Sequence, residues 1–373
     1  MISTQEAIPV ANVVCGEEEA RAVYEVAKSG WLSAGPRVRA FEEAFAKYVG
    51  VREAIAVNNG TAALHVVLAA LGIGPGDEVI LPTLTFISTA NVVLYQGATP
   101  VLAECDPQTY NITPEEIEKR ITAQTKAVIA VDMNGMPFDY DAITEVCRRK
   151  RVHLIADSAE SLGATYKGRK IGAVADIHCF SFFPNKNVTT GEGGMIVARD
   201  VKLSETLRQL RNQGQDGRYN HVHLGFNYRM TELQAAVGLV QLGRVDKLID
   251  EKAQIATAYN RLLAPWKKVL GIPHLPSEVT RHAWYMYAIR VDEKIRDAVV
   301  AELAERKIET RLSFPPIHVQ PYYQKRFGFK AEDLPISYHA WKRLIDIPLW
   351  AGMGAQRQQV VVDALGEIFN KLS

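Results

Sequence analysis

Along the first two thirds of the chain, short apolar runs alternate with segments whose apolar residues recur at helical spacing. The runs at 53–58, 77–82, 99–106, 125–133, 152–160, 175–183 and 193–199 read as strands. Between them, GTAALHVVLAALG (60–72), TFISTANVVLYQG ending at Gly97, TPEEIEKRIT and FDYDAITEVCRRK read as helices. The third of these has Thr113 as its cap and Pro114 at its first position. Strands that are apolar almost throughout, alternating with helices, predict an α/β fold with a mostly parallel sheet covered on both faces. From Thr231 to about Trp266 the pattern predicts one long helix. A strand at 283–291 and a helix at 292–307 follow, so a smaller C-terminal α+β domain is expected. The expected division is 1–250 for the large domain and 251–373 for the small one.

Composition narrows the partner. Lys and Arg number 43 against 42 Asp and Glu, which leaves no basic excess for nucleic acid and no acidic tail. A small molecule in a pocket is the expected ligand. Cys15, Cys105, Cys147 and Cys179 are widely spaced and form no CxxC pair. Reduced thiols in a cytoplasmic protein are expected, with no metal site. The start of the chain lacks a cationic segment before an apolar core, and the longest apolar stretch is too short for a bilayer.

Candidate chemistry falls where strands end. Gly60-Thr61-Ala62 opens a helix directly after a strand, offering free amides and a positive dipole end to a phosphate. Asp157 closes an otherwise apolar strand, and an acid there needs a cation or strong donors. Lys186 sits just past an aromatic strand, with Gly191, Gly193 and Gly194 to allow positive φ and Ser181 and Thr190 to supply hydroxyls. Singly these read as a helix cap, an N-cap and a solvated cation. Together they describe one ligand with a phosphate, a basic ring nitrogen and an aldehyde. Pyridoxal 5′-phosphate matches all three, with Lys186 as the Schiff-base lysine and Phe86 able to cover a ring face.

Seven segments carry a resemblance: GPRVRAFEEAFAKYVG, NNGTAALH, LPTLTFISTANVV, IADSAESLGATYKG, FSFFPNKNVTTGEGGM, GFNYRMTELQAAVGLVQL and IETRLSFPPIH. With them the chain closely resembles the DegT/DnrJ/EryC1/StrS aminotransferases, which have the fold-type I, aspartate aminotransferase-like architecture. The resemblance implies that Lys186 is both Schiff-base lysine and general base, and that Asp157 pairs with the pyridine nitrogen. It gives Thr61, Ala62 and Ser181 to the phosphate and Phe86 to the ring. Asn227 would reach the phosphate of a neighbouring subunit, implying a homodimer with shared active sites, and Arg229 would shape the substrate side. Trp31 and His318 are further substrate-side candidates. Glu160 stands where many members have Gln, facing the cofactor's ring oxygen. VDMNGMP (131–137) departs from the family pattern, so no role falls to Asp132 or Asn134. The implied reaction moves an amino group from an amino acid, L-glutamate above others, to a nucleotide-linked keto-deoxysugar. A cyclitol transaminase, a sugar dehydratase and a cofactor-binding regulatory protein are the alternatives.

Overall fold

Strands that are buried at successive positions need cover on both faces, and the chain supplies it. The computed structural model describes residues 7–372. Seven strands form the central sheet, in the spatial order Ile55–Val57, Gly194–Ala198, Ile177–Ser181, His153–Asp157, Thr125–Val131, Glu78–Pro82 and Thr99–Ala103. All pairings are parallel except those of Gly194–Ala198, which runs antiparallel to both neighbours.

Side chains of one strand alternate between two cores. Ala56, Ile80, Val128 and Ala130 join Phe41, Phe45, Phe180 and Phe182 on one face. Ile55, Val57, Val79, Leu81 and Ile129 join Leu64, Val67 and Leu68 on the other. The helix Gly60–Ala70 is apolar nearly all round because sheet and neighbouring helices enclose it. Pro36–Val49 covers the opposite face with Phe41 and Phe45 fully buried. Truncating either ring to Ala leaves a cavity worth about 3–5 kcal/mol.

A further core lies toward the C-terminus. It gathers Tyr259, Tyr287, Ile289, Leu303, Ile345 and Leu365, and Ile8 joins it. The strand Tyr287–Arg290 pairs antiparallel with Leu344–Ile347, and the helices Glu293–Glu305 and Ala355–Leu372 pack against each other. Ile8 is tied in by backbone bonds to Lys307 and Glu309, each 2.9 Å.

Three expectations change. The long helix is two, Glu232–Leu242 and Val245–Leu262, because Arg244 leaves helical geometry at φ −122° and ψ 5°. The strand expected at 152–160 stops at Asp157, where the Ser158 amide turns to the Cys179 carbonyl at 2.8 Å. The run at 283–291 becomes a strand only from Tyr287, since Trp284 is left-handed at φ 49° and Ala283 bonds the Gly135 carbonyl instead.

Candidate active site

The parallel strands end at one edge, and that edge borders a cavity of about 600 Å³. Of the residues expected from sequence, Gly60, Thr61, Ala62, Phe86, Asp157, Glu160, Ser181 and Lys186 all line it. Strands at different places in the chain thus bring an amine, two acids and a helix N-terminus to one opening.

At the helix end, the Asn59 side chain caps by accepting from the Ala62 amide at 2.8 Å. The Gly60 and Thr61 amides have no partner among the described residues and face the cavity end. Glycine is required at position 60 for space, since a Cβ there would lie 2.8 Å from the Ser181 Cβ. The glycines after Lys186 work differently from the expectation. Only Gly191 has positive φ, at 76°, whereas a Cβ on Gly194 would meet the Asn59 carbonyl oxygen at 2.6 Å. Thr190 offers the cavity no hydroxyl either, because its Oγ1 donates to the Glu192 carbonyl at 2.6 Å and holds the turn.

Asp157 is buried at the floor. Its Oδ2 accepts from Thr89 Oγ1 at 3.0 Å and its Oδ1 from the Ala159 amide at 3.3 Å. No lysine or arginine forms an ion pair with it among the described residues. Burial therefore pushes its carboxyl up to about 6, against the two hydrogen bonds and the more distant Lys186 charge. An acid so placed calls for a cationic hydrogen-bond donor from a ligand.

Lys186 Nζ stands 3.3 Å from Glu160 Oε1 and 4.1 Å from the centre of the Tyr285 ring. Burial opposes its charge, but Tyr285 and Glu160 outweigh that and move the ammonium upward from its ordinary value. Tyr285 donates to Asn185 Oδ1 at 3.1 Å and receives Arg311 Nη1 at 3.3 Å. Arg311 Nε is in turn held by the buried Asp346 at 3.0 Å. Phe314 contacts Phe86 at a ring separation of 5.2 Å, and Phe86 lies in the turn before the helix Ser88–Tyr95, half-exposed.

Four candidates lie outside this cavity. Trp31 is 60% exposed and rests against Gly35. Asn227 is exposed, and Arg229 Nη1 donates to Asn212 Oδ1 at 2.6 Å beside a separate surface depression. His318 is fully buried, its Nδ1 paired with Thr83 Oγ1 at 2.8 Å, so it packs structurally and does not project into the cleft. Its imidazole is held neutral by burial.

Conversely, the wall formed by Tyr285, Arg311 and Phe314 was not singled out from sequence. Arg311 sits inside the quoted IETRLSFPPIH, between Thr310 and Leu312. His65, paired through Nδ1 with the Tyr228 hydroxyl at 3.0 Å, also lines the cavity and is kept neutral by burial. Among the described residues no cluster of His, Cys, Asp or Glu is arranged to hold a metal ion, and no helix is long and apolar enough to cross a membrane.

The model of the DegT/DnrJ/EryC1/StrS aminotransferase family matches residues 14–366. GDP-perosamine synthase of Caulobacter vibrioides is 43% identical over 352 residues, covering 93% of this chain and 94% of that protein. Spore coat polysaccharide biosynthesis protein SpsC of Bacillus subtilis is 39% identical over 379 residues, covering 97% of both. Among solved structures, the PLP-form of Spr1654 from Streptococcus pneumoniae superposes with a TM-score of 0.93 at 28% identity, covering 99% of this chain and 100% of that one.

Proposed function

The chain belongs to the DegT/DnrJ/EryC1/StrS aminotransferase family, and from that premise we propose that it transfers an amino group from L-glutamate to the keto group of a nucleotide-linked deoxysugar. The reading as a sugar aminotransferase is supported by relatives named for perosamine and polysaccharide synthesis. Among the sugars, a 4-keto-6-deoxyhexose is the acceptor we favour.

Pyridoxal 5′-phosphate is the cofactor, and the residues present fit it. The Gly60 and Thr61 amides with Ser181 would hold its phosphate, in the space kept open by the absence of a Cβ at position 60. Asp157 would hold its ring nitrogen, which would be the ion-pair partner that the buried carboxylate lacks among the described residues. Lys186 would hold its aldehyde. When bound, the cofactor supplies an electron sink for the carbon that loses a proton.

The remaining work falls to the chain's own side chains. The Lys186 amine, once free, is the group placed to move a proton at the amino-bearing carbon. Asp157 would favour a positive charge on the ring nitrogen. Phe86, Phe314 and Tyr285 wall the cavity and limit water around that proton. Asn227, outside the cavity of its own chain, would act across a two-fold interface on the site of a second copy, and Arg229 would shape the substrate side.

One observation carries the reading: the amine of Lys186, the carboxylate of Asp157 and the unpartnered amides at Gly60 and Thr61 open onto one cavity. The test incubates the protein with L-glutamate and GDP-, UDP- or dTDP-linked 4-keto-6-deoxyhexoses, and measures 2-oxoglutarate and the aminated sugar nucleotide. Formation of both in equal amounts supports the reading. Turnover with none of these acceptors while glutamate still yields 2-oxoglutarate would move the acceptor to another sugar class.

A further inference from the structure

Glu160 raises a question that its neighbours answer. A carboxylate beside the lysine is costly to bury, yet it is held from several sides. Its Oε2 accepts from the Asn134 amide at 2.8 Å, leaving Oε1 turned to Lys186 Nζ. Asn134 is left-handed at φ 59°, and a Cβ on the next residue, Gly135, would lie 2.9 Å from the Glu160 carbonyl oxygen. Behind this turn, the buried Asp132 accepts from Tyr140 at 2.8 Å, the Phe138 amide at 3.1 Å and Ser158 at 3.1 Å. Asn134 thus anchors Glu160, and Asp132 anchors the turn at Ser158 and Ser161 that carries it, although neither stood out as a site residue.

We propose that Glu160 is the counter-ion of Lys186: its carboxylate, fixed by the Asn134 amide, stabilises positive charge on Nζ and so sets how readily the amine is freed. The proposal rests on the reading of Lys186 above. Gln at this position could keep the Asn134 contact but would bring no charge to Nζ.

The other groups facing Lys186 are Tyr285 over its ammonium, Arg311 bound to the Tyr285 hydroxyl, and Asp157 across the floor. Behind the loop, Lys252 donates to the neighbouring Asn187 at 2.7 Å. Arg311 is committed to Asp346, which leaves Glu160 as the carboxylate in contact with Nζ among the described residues.

The test uses the full-length chain freed of cofactor, wild type beside Glu160→Gln, Tyr285→Phe and the double variant. Limiting acetic anhydride is applied across a pH series, and acetylation of Lys186 is read by peptide mass spectrometry. Removing the facing anion lowers the ammonium pKa, so Glu160→Gln shifts the midpoint down by about one unit. Below both midpoints Lys186 then reacts about tenfold faster. Tyr285→Phe removes the other group that holds the ammonium up, so its midpoint falls as well, and the double variant falls further than either single one. An unchanged midpoint in Glu160→Gln, or a double variant no lower than Tyr285→Phe alone, overturns the proposal. A second readout is the pH titration of the visible band after loading with pyridoxal phosphate, where Glu160→Gln again lowers the midpoint. A protein that never colours refutes the reading of Lys186, whereas a coloured protein with equal midpoints in both chains refutes only the role of Glu160.

Discussion

Replacing Asp157 by Asn is expected to stabilise the cofactor-free protein while removing most of its activity. Burial raises the Asp157 carboxyl from 3.8 to about 6 in the folded chain. A difference of about two units, at about 1.4 kcal/mol each, means that ionised Asp157 costs the fold about 3 kcal/mol at neutral pH. Asn can still accept from Thr89 and the Ala159 amide through its oxygen. Its amide N–H groups need acceptors, which costs about 1 kcal/mol, so the net gain is about 2 kcal/mol. The pH dependence has a definite sign. With a raised folded pKa, the native state binds more protons than the unfolded state between about 4 and 6, so wild-type stability falls across that window. Asp157→Asn is therefore up to about 1 kcal/mol less stable than wild type near pH 4, overtakes it as pH rises toward about 6, and keeps a level advantage above that. Thermal melting of both cofactor-free chains across that range measures it, and pyridoxal phosphate added to the wild type should recover stability by satisfying the acid. A variant less stable than wild type at pH 8, or an advantage that does not vanish toward pH 4, would refute the reasoning.

Other perturbations test separate parts of the site. Gly60→Ala drives a Cβ to 2.8 Å from the Ser181 Cβ. It is expected to weaken cofactor binding by about 1–3 kcal/mol, seen as a rise of about fivefold or more in the Kd for pyridoxal phosphate. Arg311→Met leaves the fully buried Asp346 without its cation. Melting should report a loss of about 3–5 kcal/mol, largely reversed when Asp346→Asn is added. His318→Gln is expected to lower stability through the lost Thr83 contact, by about 1 kcal/mol, while leaving KM for the sugar nucleotide unchanged, because the imidazole is buried away from the cavity.

Strand ends were the legible part of the sequence. Apolar runs placed Asp157 and the Gly60 helix start at the sheet edge, because strand burial and helix capping are written in adjacent residues. The break at Arg244 was hidden, since Gly243-Arg244 interrupts no apolar periodicity. The helices Glu17–Ser29, Pro36–Val49 and Val201–Arg211 lie outside the strand–helix alternation, although Pro36 and the glycines at 30 and 50 mark the ends of the first two. Tyr285 and Arg311 were harder. They come from the C-terminal part of the chain, and nothing local distinguishes the tyrosine that faces Lys186 from Tyr287, which is buried in another core. His318 misled for the same reason: a histidine after two prolines has no local mark to separate a cleft residue from one held by Thr83.

The visible absorption spectrum of the purified protein with pyridoxal phosphate, before and after L-glutamate and beside Lys186→Ala, tests the central claim most directly. The account predicts a yellow band in the wild type that glutamate bleaches, and none in Lys186→Ala despite a retained fold. A wild type that forms no such band, or a Lys186→Ala protein that forms it equally well, would contradict the assignment of Lys186 and the function built on it.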